Sequence, residues 1–327
     1  MQRDLSVVVV GASSGIGRAT ALAFARRGAR VTLAARRRAV LEDLARECRE
    51  SGGDAFAVQT DVTDPAQVTA LAGAARGRFG GIDVWINNVG TGVFGPFERA
   101  RVELHRRVIE TNLLGAVHGA AAVLPIFREQ GHGTLINMIS VGGWAPVPFA
   151  ASYAASKFGL RGFTASLRQE LAAEPHIHVC ALFPAVVDTP GFEHGANVSG
   201  RALEPGGPLL APEDVAEAYV RLASHPRDEV AVGWSSRAAQ IAYGLAPGPT
   251  EHLMGAALRR YLRRAPPAPR TEGALLHPVR AGTGTDGGLR ERQGGGGGAG
   301  RSLAVLGLAG AALLLGTTAL AARARRS

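Results

Sequence analysis

Val7-Val8-Val9-Val10-Gly11-Ala12-Ser13-Ser14-Gly15-Ile16-Gly17-Arg18 is the stretch on which the reading of the fold turns. Four consecutive valines form a buried-strand run, because β-branched side chains pack well on a pleated surface. The glycines that follow permit positive φ and close backbone approach, and the alanine-rich run after Arg18 reads as a helix. A strand, a glycine loop and a helix in that order leave unpaired N–H groups at the helix start, suited to an anion such as a pyrophosphate. Gly11, Ser13, Ser14, Gly15, Ile16 and Gly17 are therefore candidate contacts. The same letters, Gly11-Ala12-Ser13-Ser14-Gly15, also fit the Gly-x-Ser-x-Gly elbow of a nucleophilic serine. That elbow follows several strands, which place its serine mid-sheet, whereas only ten residues precede Gly11. The hydrolase reading is set aside.

Beyond this stretch, short apolar runs at 31–34, 56–58, 84–86, 134–139 and 178–183 alternate with longer Ala/Leu/Arg stretches up to about residue 244. The alternation predicts an α/β domain over 1–250, a single doubly wound parallel sheet with helices on both faces. With 46% hydrophobic and 19% charged residues, the chain of 327 is no disordered polyelectrolyte. The formal charge of +9 is unevenly placed: residues 251–327 hold twelve Arg and four acids, so the body is almost neutral. That excludes a nucleic-acid footprint on the body. Cys48 and Cys180 are too few for a disulfide framework, and His176 and His178 find no further ligand, so no metal is expected.

The C-terminal part changes character. Residues 251–302 are basic and rich in Pro and Gly, ending near the glycine run 294–298, and read as a flexible linker. Residues 303–322 carry no charge and precede the basic tail 323–327 with Arg323, Arg325 and Arg326. Twenty helical residues span roughly 30 Å, which predicts one C-terminal transmembrane helix. Flanking arginines tie on the positive-inside count. The catalytic domain is expected in the cytoplasm, because no export signal is read before it and its cofactor pool is cytosolic.

The chemistry is carried by one lysine. Lys157 is the single Lys of the chain and follows Tyr153 by four residues, so the two share a helix face. An ammonium beside a phenol favours the phenolate, which predicts a lowered Tyr153 pKa and an acid/base usable near neutrality. Ser140 closes the strand 134–139, and Asn87-Asn88-Val89-Gly90 closes 84–86, both at the crevice beyond the carboxyl ends of a parallel sheet. Asn112 interrupts a helical stretch in which it is a mediocre former. Arg36 stands after the second strand, where an acid would accept from a ribose 2′-hydroxyl; an arginine suits a 2′-phosphate, and so NADP(H) rather than NAD(H).

In this order and at these separations, Gly11–Gly17, Asp61-Val62, Asn87–Gly90, Asn112, Ser140, Tyr153-x-x-x-Lys157 and Pro184…Thr189 resemble the short-chain dehydrogenase/reductase family over about residues 5–245. Val10, Val89 and Ala185 stand where the family has Thr, Ala and Gly. The resemblance implies a Rossmann-type fold. It implies that Asp61 and Val62 contact the adenine, Asn88 and Gly90 the ribose side, and Pro184, Val187 and Thr189 the nicotinamide region. Tyr153 would exchange a proton with a carbonyl or secondary alcohol, Lys157 would assist it and hold the ribose, and Ser140 would bind the carbonyl oxygen. Asn112 would position a water linking Lys157 to solvent. Segments 91–97, 141–149 and 191–210, with Val93, Phe94, Trp144, Val147 and Phe149, suggest an apolar substrate. The expected partners are thus a small lipophilic carbonyl or alcohol and a membrane; a homo-oligomer is left open and no nucleic acid is expected. The rival reading is a catalytically silent membrane-tethered dinucleotide-binding scaffold or sensor.

Overall fold

The computed structural model describes residues 4–295. Within them the strands are β1 (Ser6–Val10), β2 (Arg30–Ala35), β3 (Asp54–Gln59), β4 (Val84–Asn87), β5 (Val93–Phe94), β6 (Gly133–Met138), β7 (Ile177–Pro184), β8 (Ala196–Asn197) and β9 (Glu229–Val232). Seven of them form one sheet in the order β3-β2-β1-β4-β6-β7-β9, every pairing parallel. β5 and β8 pair separately above it. The valine run of β1 is buried along its whole length, as a strand covered on both faces must be.

The helices are α1 (Gly15–Ala25), α2 (Arg38–Glu50), α3 (Pro65–Phe79), α4 (Val102–Ile109), α5 (Gly115–Gln130), α6 (Ala151–Glu170), α7 (Gly191–His194), α8 (Pro212–Ser224), α9 (Trp234–Leu245), α10 (Pro247–Arg264) and α11 (Leu289–Gly295). One face of the sheet is covered by α1, α2 and α8 around Val7, Phe24, Leu41 and Tyr219. The other is covered by α3, α5 and α6 around Val8, Leu71, Trp85 and Phe127. The strand order reverses between β1 and β4, so the loops at their carboxyl ends diverge to opposite faces and open a crevice. Beneath it runs a buried polar chain: Trp85 donates to Asn87, Asn87 to Asn137, and Asn137 to Thr164. Closed networks of this kind fix one register among many apolar alternatives.

The linker expected at 251–302 is corrected over its described part. The boundary at 250 falls inside α10, and residues 265–292 return across the body instead of leaving it. Thr271 pairs with Asn197 and Pro267 with Arg201. Proline and glycine content removes helix and strand patterning, but it leaves the backbone free to bond to side chains elsewhere. The expected transmembrane helix at 303–322 and the tail 323–327 lie outside the described residues. Val102–Gln130 is long and apolar enough to cross a membrane by length and composition. In the fold it packs on the sheet and passes beside the crevice.

Candidate active site

The loop between β1 and α1 is shaped by its glycines. Gly11 has φ +91° and Gly15 φ +56°, and a Cβ on Gly17 would collide with the Gly11 carbonyl oxygen. Gly17 is therefore a packing glycine under the loop, while Gly11, Ser13, Ser14, Gly15 and Ile16 face the cleft. No acid sits in the first turn of α1, which keeps its N-terminus electropositive. The Asn88 side chain donates to the Gly11 carbonyl at 3.4 Å, so it braces this loop. At the end of β2, Arg36 lines the cleft and Arg37 donates to the Ser13 hydroxyl at 3.1 Å. Arg37 went unnoticed in the sequence, where one more arginine in an arginine-rich chain is no signal.

Asp61 and Val62 lie at the same end. Burial would raise the Asp61 carboxyl, but hydrogen bonds from Thr63 and the charges of Arg107 and Arg36 outweigh it and hold it below the ordinary range. Arg107 donates to Asp61 at 2.9 Å and to the Thr63 hydroxyl at 2.7 Å. It too is a site residue that no local motif marked.

At the other end, Ser140 follows β6 with φ +112°, rare for a residue with a Cβ. Such strain costs on the order of 1–3 kcal/mol and concentrates where a side chain must be aimed. Tyr153 and Lys157 project from one face of α6, with the Lys157 Nζ 5.8 Å from the Tyr153 ring centre and donating to the Met138 carbonyl at 2.8 Å. Gly92 and Gly142 flank the tyrosine ring, and added Cβ atoms there would lie 3.6 and 3.0 Å from it. Burial pushes the Tyr153 phenol up, opposed by its hydrogen bond with Ser140, and pushes Lys157 down to about 7. The lowered Tyr153 pKa expected from Lys157 is thus corrected: burial moves it the other way. The lysine has itself lost its hydration and holds its proton weakly, so burial governs both groups.

Asn112 does not face the cleft. It sits in a π-helical turn, Glu110–Leu114, between α4 and α5, and is 1% exposed. Its oxygen accepts from the Thr91 N–H at 2.9 Å, and its nitrogen donates to the Thr91 carbonyl and the Ser156 hydroxyl. The widened turn supplies the room for that side chain, and Thr91 is held between Gly90 and Gly92 against the Lys157–Tyr153 face.

These groups line one cavity of about 630 Å³. It takes in Gly11, Ser13, Ser14, Gly15, Ile16, Arg36, Asp61, Val62, Asn88, Gly90, Ser140, Tyr153, Lys157, Pro184, Val187 and Thr189. Beyond Tyr153 its wall is apolar: Val93, Phe94, Val147 and Phe192 are joined by Leu253, Met254 and Leu258 of α10. Two expected wall residues are corrected. Trp144 is 3% exposed and stacks on Phe183 at 3.9 Å, making it core. Phe149 stands behind Phe94 with its ring centre 6.3 Å away. The α10 wall was missed although Leu253, Met254, Leu258 and Tyr261 recur at helical spacing, a signal outweighed by the prolines that follow.

A sequence profile of the family described as short chain dehydrogenase matches residues 6–196. An uncharacterised oxidoreductase of Bacillus subtilis, YxnA, is 35% identical over 277 residues, covering 84% of this chain and 78% of that protein. The 3beta-hydroxysteroid dehydrogenase 1 of Eggerthella lenta is 39% identical over 226 residues, covering 67% of this chain and 86% of that protein. Among solved structures, an alcohol dehydrogenase from the archaeon Thermococcus sibiricus, complexed with 5-hydroxy-NADP, superposes with a TM-score of 0.60 at 31% identity. It matches 69% of this chain and 94% of its own. A metagenomic short-chain oxidoreductase in complex with NADP gives 0.60 at 29% identity, over 71% of this chain and 98% of its own. The chain belongs to the short-chain dehydrogenase family of oxidoreductases.

Proposed function

We propose that this protein is an NADP(H)-dependent oxidoreductase that interconverts a lipophilic carbonyl compound and its secondary alcohol. The observation that carries this reading is the meeting of Ser140, Tyr153 and Lys157 in one cavity with an anion-binding loop and an apolar wall. The donor set suits a phosphorylated dinucleotide: an α1 N-terminus free of acids for the pyrophosphate, and Arg36 and Arg37 for a 2′-phosphate. Two structural neighbours solved with NADP or a derivative of it support that choice. When bound, the nicotinamide supplies or receives the hydride.

The remaining work falls to this chain. Ser140 donates to the carbonyl oxygen and orients it toward the tyrosine. Tyr153 gives its hydroxyl proton to the oxygen during reduction and recovers one during oxidation. Lys157 holds a ribose through its ammonium and, once hydrogen-bonded there, favours the phenolate of Tyr153. Asn112 fixes Thr91 and so the wall behind both. A silent scaffold would gain nothing from a lysine buried against its own hydration, which disfavours that alternative.

The apolar wall favours a lipophilic substrate, as does the uncharged segment 303–322, which would tether the enzyme to a membrane with its domain in the cytoplasm. NADPH oxidation measured against a panel of lipophilic ketones and small water-soluble carbonyls tests the activity. Turnover confined to hydrophilic carbonyls would remove the lipophilic assignment. Fractionation tests the tether: full-length protein should pellet with membranes, and protein cut after Gly295 should not.

A further inference from the structure

The segment after α10 supplies oxygen acceptors to the same groups that suit a dinucleotide's phosphates. The Ala274 and Leu275 carbonyls accept from the Arg36 guanidinium, and the Leu275 carbonyl accepts also from Arg107 at 3.4 Å. The Val279 and Ala281 carbonyls accept from Arg37 at 3.3 and 3.0 Å. At the glycine loop, the Gly284 carbonyl accepts from the N–H of Gly15, the first residue of α1, at 2.9 Å. Backbone oxygens of one short stretch thus engage both the anion position at the start of α1 and the two arginines beyond β2. The Gly15 N–H is a single donor and cannot serve a carbonyl and a phosphate at once.

Both ends of the stretch are fastened away from these donors. Thr271 is bridged to Asn197, the Ala274 N–H donates to the His194 carbonyl at 2.7 Å, and Leu275 is buried among Val93, Leu104 and Val108. At the far end Asp188, 1% exposed, accepts from the N–H groups of Gly287, Leu289 and Arg290 at 3.0, 3.0 and 2.8 Å. A stretch held at both ends meets its donors at a high effective concentration, without needing strong individual bonds. Each carbonyl is a neutral dipole, whereas a phosphate brings full charge to a guanidinium fork. The stretch can therefore compete with a dinucleotide and still be displaced by it.

We propose that residues 274–284 are an autoinhibitory stretch that occupies the phosphate-binding donors of the cleft, so that the dinucleotide binds only by displacing it. The proposal rests on the reading that the cleft binds NADP(H). The seated form and the cofactor-bound form exclude each other, and the apparent affinity is reduced to the fraction of molecules whose donors are free.

Gly273 and Gly287 allow release without altering a donor. Gly273 has φ +57°, and a Cβ on it would collide with the His194 carbonyl oxygen; a Cβ on Gly287 would lie 2.7 Å from the Thr189 carbonyl oxygen. Gly273→Val and Gly287→Val should each keep the stretch from seating. Fluorescence titration of the full-length protein in detergent should then show the NADPH Kd falling at least tenfold in both variants. A tenfold fall corresponds to about nine seated molecules for each open one in the unmutated protein. Trypsin supplies a readout that needs no variant to fold. Arg280 is exposed, but its neighbours Val279 and Ala281 are bonded to Arg37, so cleavage after it requires local release. Adding NADPH to the unmutated protein should speed that cut. An unchanged or raised Kd in both variants, or cleavage slowed by NADPH or indifferent to it, would overturn the proposal. Absence of NADPH binding in the unmutated protein and in both variants would instead remove the cofactor reading.

Discussion

Two regions close on the same cleft by opposite means. The loop from Gly11 to Gly17 is held by its immediate neighbours: a buried strand before it, a helix after it, and glycines where positive φ or close packing demands them. The segment 265–292 has neither strand nor helix until α11, and its bonds run to Arg36, Arg37, Asp188 and Asn197, far away in sequence. The first is specified by short-range rules that any strand–loop–helix must obey. The second is specified by surfaces that exist only after the body has folded. Order and regular secondary structure are therefore separate properties, and composition reports only on the second.

The largest expected effect lies in the body. Tyr153→Phe removes the transferable proton and should lower kcat by about 10³-fold or more, in line with the upper range of general acid catalysis. NADPH affinity, read by fluorescence titration, should stay within about twofold. Lys157→Arg should fail comparably, because a planar guanidinium cannot take the place of a compact ammonium. Near-normal turnover in Tyr153→Phe would strip the body of its proposed acid.

Lys157 also shapes stability. Its folded pKa lies near 7 against an ordinary 10.5, so the unfolded chain takes up this proton between about pH 10.5 and 7 while the folded chain does not. The penalty therefore grows as pH falls through that window and levels off below about 7. Lys157→Met should raise stability at pH 7 by on the order of 2–4 kcal/mol while abolishing activity, with the gain fading toward pH 10.5. Denaturant melts across pH check this; an equal gain at every pH would assign the effect to packing.

Arg36 belongs to both regions, since the Ala274 and Leu275 carbonyls hold its guanidinium and it follows the end of β2. Arg36→Asp should cut the preference for NADPH over NADH by about 10–100-fold, equivalent to roughly 1.4–2.7 kcal/mol. Competitive titration of the two cofactors gives the ratio, and a preference for NADH in the unmutated enzyme would end the 2′-phosphate assignment. The smallest effect is expected on the α10 wall. Met254→Ala should lower kcat/KM for a bulky lipophilic ketone by about tenfold, within the 1–3 kcal/mol typical of an apolar pocket contact, and change it less for a small carbonyl. Equal losses on both would show that α10 supports the site without selecting the substrate.

Much of the site could be read from the chain because its chemistry is local. A glycine loop after a strand, a Tyr and a lone Lys four apart on a helix, and an arginine at a strand end each keep their meaning wherever the sheet folds them. Ser140 was legible as a strand-end hydroxyl, though its strained φ of +112° was not. Asn112 was legible as an odd residue in a helix, but its engagement with Thr91 and Ser156 needed the π-turn. Trp144 reads as an apolar wall residue and is core, because its stacking on Phe183 of β7 is a tertiary relation.

The alternation of strands and helices, the anion loop and the proton-handling pair follow from the order of residues alone, since spacing along one element sets which side chains share a face. The pKa shifts of that pair, the apolar wall from α10 and the course of 265–292 arise only on folding. Each of those depends on what is brought against what. Burial sets the pKa of Lys157, packing turns an amphipathic helix into a substrate wall, and a folded rim of Arg36, Arg37 and Asp188 gives an unpatterned backbone somewhere to bind.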